Sequence, residues 1–201
     1  MDGSALMRWA TQYLNKYRAT LDMSQTEVSL ETLAASWSPP SAPSFKINVD
    51  GAIFTKQGMA GLGVLVWDEL GRVIIALSKR VQALLGAVEV KAKAFEAGMQ
   101  FAKDIGVQDF ILEGGSLTIY QALSGLSEAP TSMDSMVQVL LSFNREFRKF
   151  SFSHVRRQGN KPAHLLAKHV KGIVDFSTWL EENPCFLEQT LLHDVISIAN
   201  N

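Results

Sequence analysis

The residues best suited to chemistry gather between Arg145 and Lys171, where eight Lys/Arg and a single acid, Glu146, give a net charge of +7. The rest of the chain carries -8, so a near-neutral total of -1 hides a polar distribution. Such a stretch is suited to a polyanion partner, or else forms a solvated basic face. Three of the four histidines, His154, His164 and His169, lie in it. His164 and His169 are five residues apart, about 140° around a helix, so they cannot share one ligand face. With Cys185 as the lone cysteine, a zinc cluster is not supported. His154 falls at a strand end and is expected to pack and hydrogen-bond within the fold.

These side chains need a scaffold. Its 201 residues, 47% of them hydrophobic, suit one globular domain with appendages and exclude disordered, collagen-like and fibrous classes. One cysteine points to a reducing setting, intracellular and either nuclear or cytoplasmic. The chain has no apolar run of the roughly 18 residues needed to span a bilayer, and its first 20 residues do not read as a signal peptide, so no membrane partner is expected.

Residues 1–36 read as an amphipathic helical extension, with Trp9, Tyr13 and Tyr17 at helical spacing, able to meet a protein partner. Residues 37–44, rich in proline, read as an extended linker. Phe45 to Asp50 alternates as a half-buried strand ending at Asp50-Gly51; Ala60 to Trp67 and Arg72 to Ser78 complete an antiparallel meander. Val88, Ala92, Phe95, Met99 and Ala102 mark a long helix ending near Gly106. A short strand follows from Asp109 to Glu113. Ser116 caps a helix, another follows Thr131 to Asp134, Phe150 to Val155 is a fifth strand, and Asn160 with Pro162 opens a last helix facing inward through Ala163, Leu166, Ala167 and Val170. The order βββαβααβα implies an α/β fold with a five-stranded mixed sheet flanked by helices. Residues 175–201 carry -5 with no Lys or Arg and read as an acidic tail, helical and docked on the domain that spans 45–174.

Five blocks of this sequence resemble the ribonuclease H type 1 domain, in family order and with family spacing. They are Trp37-Ser38-Pro39-Pro40, Lys46 to Ala52 (KINVDGA), Gly61 to Asp68 (GLGVLVWD), Glu113-Gly114-Gly115-Ser116, and His154 to His164 (HVRRQGNKPAH). More narrowly they resemble its plant branch, related to the ribonuclease H region of non-LTR retrotransposon polyproteins. The resemblance covers about Trp37 to Val174. It implies a ribonuclease H-like fold, hydrolysis of the RNA strand of an RNA–DNA hybrid, and a Mg cofactor, two ions held by four acids.

Carried over position by position, those acids fall on Asp50, Lys91, Gly115 and His164, so only Asp50 is retained. Glu89 is a possible substitute for the second, but lies about 200° around the helix from Lys91. Glu113 lies one strand alternation before Gly115, roughly 7 Å away. Four carboxylates would offset two Mg²⁺; the residues present sum to about zero charge, and Lys91 is expected to favour ionised Asp50 and pair with it. Hybrid recognition, which rests on phosphate and 2′-hydroxyl contacts, would use Arg156, Arg157, Asn160 and Ser116. The functional expectation is therefore a ribonuclease H type domain that binds an RNA–DNA hybrid or a dsRNA-like duplex, with cleavage lost or strongly impaired. The alternatives are a domesticated protein-interaction scaffold and an active metal-dependent hybrid endoribonuclease.

Overall fold

The computed structural model describes residues 37–129 and 131–191. The amphipathic extension expected over residues 1–36 and the last ten residues of the acidic tail lie outside the described residues.

Chain order is β1 (Phe45–Phe54), β2 (Met59–Trp67), β3 (Val73–Val81), α1 (Ala87–Asp104), β4 (Asp109–Gly114), α2 (Leu117–Leu123), α3 (Asp134–Ser142), β5 (Lys149–His154), α4 (Lys161–His169) and β6 (Phe176–Leu180), with short 3-10 turns between several of them. The sheet runs β5-β4-β1-β2-β3-β6. β1, β4 and β5 are parallel, while β2, β3 and β6 pair antiparallel in succession. Three meander strands followed by helix-linked parallel strands thus build a mixed α/β sheet, as the order of sequence periods requires.

Two differences from the sequence reading have physical causes. The sheet has six strands, because Phe176 to Leu180 pairs with β3 where the docked helix was expected. The edge of β3 presents unpaired backbone groups that this segment satisfies, and an edge partner outweighs weak local preference. Beyond it the chain packs Leu187 and Leu191 against Trp67 and Leu166. Second, the proline-rich segment is no free linker: Trp37 is buried, its ring 4.4 Å from that of Trp67. The domain therefore starts no later than Trp37.

Strand period decides what faces where. Ile47 and Val49 enter the large core shared with Phe95, Met99 and Leu112, whereas Ala52 and Phe54 pack with Ala167 and Val170 of the last helical segment. Lys46, Asn48 and Asp50 are in phase with Ala52 and Phe54, which puts an ammonium, an amide and a carboxylate on one strand face. α4 buries Ala163, Leu166 and Ala167, with Val170 following it, as its periodicity predicts. It can lie this close because β2 has no side chain at Gly61 or Gly63: a Cβ at Gly63 would stand 2.2 Å from the Ala163 carbonyl oxygen. On the opposite face α1 meets β1 at Gly51, where a Cβ would stand 2.6 Å from the Val90 carbonyl oxygen.

Candidate functional site

Asp50 lies inside β1, which continues to Phe54, and not at the strand's end. What ends nearby is the parallel pairing with β4, whose last partners are Val49 and Gly114. Asp50 thus stands at the carboxyl end of the parallel half of the sheet, the position where α/β sheets open a crevice. Its cross-strand neighbour on β2 is Gly63. Since the first turn of α4 rests on that glycine, the adjacent His164 reaches across, and its Nδ1 lies 2.7 Å from Asp50 Oδ2. Its other ring nitrogen, Nε2, faces Arg157, whose Nη2 is 3.5 Å away.

Lys91 does not make the expected pair with Asp50, because the His164 ring takes that carboxylate. The lysine sits half-buried on α1 directly after Val90, the residue pressed on Gly51. Its charge reaches His154, the cross-strand partner of Gly114. There burial, opposed by Glu113 and reinforced by Arg156 and Lys91, lowers the imidazole pKa below its usual 6.5. Glu89 turns away from the site and accepts the Gly86 N–H at 2.7 Å, securing the start of α1. Its carboxylate serves as a cap here. Gly115 is half-exposed, and a Cβ there would make ordinary contacts with Asn160 Nδ2 and the Val155 carbonyl oxygen, each at 3.8 Å.

Beneath this surface is a buried polar ladder that sequence reasoning did not find. Asn48 and Glu113 are in register on β1 and β4, as are Glu113 and Ser153 on β4 and β5. Asn48 Nδ2 donates to Glu113 Oε1 at 3.0 Å and Ser153 Oγ to Glu113 Oε2 at 3.0 Å, with Lys46 Nζ 3.4 Å from the same carboxylate. Glu113 is therefore fully engaged inside the sheet, with its charge compensated by Lys46. Asn48 Oδ1 accepts the Trp37 indole N–H at 2.9 Å, and Lys46 donates to the Ser38 carbonyl at 2.6 Å, which docks the proline-rich segment. The only local sign of this arrangement is the run of polar side chains at alternate positions 46, 48 and 50.

Asn160 belongs to the same ladder. It stands at the N-cap position of α4, yet its side chain is buried, donates to the Val49 carbonyl at 2.9 Å and accepts from Asn48 at 3.1 Å. Its amide ties α4 to β1 and is not presented to solvent. Ser116 is the N-cap residue of α2 and is also buried, with no side-chain cap bond. Arg156 and Arg157 are exposed. His169, on the far side of α4, stacks on Phe186 at 4.3 Å and meets Trp179 edge-on.

The donor set does not fit two magnesium ions. Mg²⁺ takes oxygen ligands in near-octahedral geometry, and a two-ion centre needs several carboxylates converging. Here one carboxylate is held by an imidazole, beside an ammonium-bearing helix and a glycine. Among the described residues no three His, Cys, Asp or Glu side chains converge to hold a metal.

Comparison with known proteins agrees with this architecture. Among solved structures, ribonuclease H1 from the halophilic archaeon Halobacterium salinarum superposes with a TM-score of 0.59 at 21% identity, over 64% of this chain and 97% of that one. LC11-RNase H1 in complex with an RNA/DNA hybrid gives 0.57 at 18% identity, over 63% and 95%. The N-terminal RNase H domain of a Mycobacterium tuberculosis protein, fused to maltose-binding protein, gives 0.55 at 20%, over 63% and 91%. No curated protein matches. The family model described as reverse transcriptase-like matches residues 48–170, which takes in every position of the site from Asn48 to His169, and on that match the chain belongs to the reverse transcriptase-like family, an RNase H-like domain related to retroelement reverse transcriptases.

Proposed function

We propose that this domain binds a nucleic-acid duplex of the RNA–DNA hybrid type and that two-metal hydrolysis is lost or strongly impaired. The observation that carries the reading is the Asp50–His164 contact at 2.7 Å: the one retained acid is occupied by a protein side chain. Lys91 and Gly115 supply no ligand at the neighbouring positions. A two-metal site gains its rate from charge that neutralises the attacked phosphate and activates water; without converging carboxylates there is nothing to hold that charge in place.

Binding does not require the ions. Backbone phosphates are met by Arg and Lys, and Arg156 and Arg157 are exposed where the chain leads into α4, with Lys161 exposed at its first position. A solved relative with this fold, LC11-RNase H1, is in complex with an RNA/DNA hybrid, which supports the same class of partner here. Such a partner and the lone exposed Cys185 suit an intracellular site, nuclear or cytoplasmic. Asn160 and Ser116, both buried, serve the scaffold, and the duplex contacts fall to the arginines.

Fluorescence anisotropy of a labelled hybrid across about 50 to 300 mM salt tests the reading. The logarithm of affinity should fall against the logarithm of salt with a slope of about -2 or steeper, as two or more phosphate contacts require. Absence of measurable hybrid binding at the low-salt end would overturn it in favour of a protein-interaction scaffold.

A further inference from the structure

The replaced acids do more than remove ligands; they change the sign of the site. Two permanent cations border the site, Lys91 on α1 and Arg157 before α4, the latter beside the His164 ring that meets Asp50 within β1, and Arg156 adds a third just beyond the end of β5. None of the three is paired with a carboxylate among the described residues, in contrast to Lys46, Arg72, Lys93, Lys103 and Arg148. Lys91 and Arg156 both act on His154, the cross-strand partner of Gly114, which locates them around the end of β4. Of the carboxylates nearby, Glu113 is compensated internally by Lys46, and Asp50 is hydrogen-bonded to the His164 ring. Arg157 Nη2 lies 3.5 Å from His164 Nε2, which places the exposed guanidinium next to the Asp50–His164 pair. Gly115, in the turn after β4, is half-exposed and adds no side chain; a Cβ there would make ordinary contacts with Asn160 Nδ2 and the Val155 carbonyl oxygen at 3.8 Å.

We propose that the half-exposed surface at Gly115, bordered by Lys91, Arg156 and Arg157, is a metal-independent seat for one backbone phosphate of the bound duplex. Side-chain cations take over the charge-neutralising role that divalent ions have in a cleaving enzyme, and Lys91 stands at the position of a lost acid. A phosphate diester carries one full negative charge over two unesterified oxygens, which a guanidinium and an ammonium can meet together. The chain then needs no divalent ion to hold its duplex, and added Mg²⁺ competes for the phosphate where in a two-metal enzyme it would help. This inference rests on the proposed duplex-binding reading and adds where one phosphate sits and what holds it.

The test uses the full chain and a labelled RNA–DNA hybrid, with affinity measured in EDTA and in Mg²⁺ at matched ionic strength. Lys91→Gln and Arg157→Gln are compared with Lys149→Gln, an exposed lysine at the opposite end of β5 from the site. Circular dichroism confirms that each variant is folded. The expected result is equal or tighter binding in EDTA, with Lys91→Gln and Arg157→Gln each weaker by about tenfold and each lowering the salt slope by about one, and Lys149→Gln unchanged. Binding that requires Mg²⁺, or folded Lys91→Gln protein that binds as tightly as the natural chain, would overturn the phosphate seat and leave the duplex-binding reading standing. Failure of the natural chain to bind the hybrid in either buffer would overturn both.

Discussion

Replacing Asn48 with alanine should unfasten the site from below. The side chain is almost wholly buried, at 2% exposure, and three groups depend on it: the Trp37 indole N–H, the Glu113 carboxylate and the Asn160 carbonyl oxygen, at 2.9, 3.0 and 3.1 Å. A buried polar group that loses its partner costs about 1–3 kcal/mol. Glu113 keeps Ser153 and Lys46, so its share lies at the low end. The three together come to about 4 kcal/mol, and for a domain of this size each kcal/mol lowers Tm by roughly 2–4 °C. Asn48→Ala is thus expected to melt roughly 8–16 °C below the natural chain. Urea denaturation followed by tryptophan fluorescence is the assay, since the Trp37 and Trp67 rings are 4.4 Å apart and separate when the proline-rich segment lifts. Trp37→Phe keeps the ring and deletes the N–H, and the double variant should lose less than the two single losses combined. A loss below about 1 kcal/mol for Asn48→Ala would refute the claim that this ladder is satisfied and structural.

Two further expectations concern the scaffold. Gly63→Ala forces a Cβ to within 2.2 Å of the α4 backbone and should cost about 2 kcal/mol or more in denaturation, whereas the Cβ of Gly115→Ala makes only ordinary contacts at 3.8 Å and should change stability by no more than about 0.5 kcal/mol. Burial lowers the His169 pKa below 6.5, so the unfolded chain takes the proton more readily; stability is complete above that value and falls as pH drops toward the folded-state pKa. His169→Phe, which preserves the stack on Phe186, should therefore lose less stability between neutral and mildly acidic pH than the natural chain, as denaturation at the two pH values will show.

Where residues speak through local period, the sequence was readable. The alternation from Phe45 to Asp50 and the inward stripe Ala163, Leu166, Ala167 and Val170 both appear as expected, since burial on one face imposes its own spacing. Features set by distant contacts were not legible. The Phe176 to Leu180 strand depends on the free edge of β3, and the acids around it suggested a helix. Trp37 is anchored by Asn48 eleven residues on, while the prolines that follow it carry the appearance of a tether. The carry-over of family positions identified Asp50 and His164 as neighbours in function, but their contact spans 114 residues and exists because Gly63 admits α4. Charge counting suggested Lys91 as the aspartate's partner; only geometry shows that the imidazole is there instead.

The proposed loss of hydrolysis follows from a site with too few converging carboxylates to organise divalent ions. Its most direct measurement is cleavage of an RNA–DNA hybrid in Mg²⁺ and in Mn²⁺ by the natural chain, by Asp50→Asn, and by a triple variant carrying Lys91→Glu, Gly115→Asp and His164→Asp. The natural chain is expected to cleave no more than Asp50→Asn, while the triple variant gains metal-dependent cleavage. Metal-dependent cleavage by the natural chain that Asp50→Asn abolishes would contradict it.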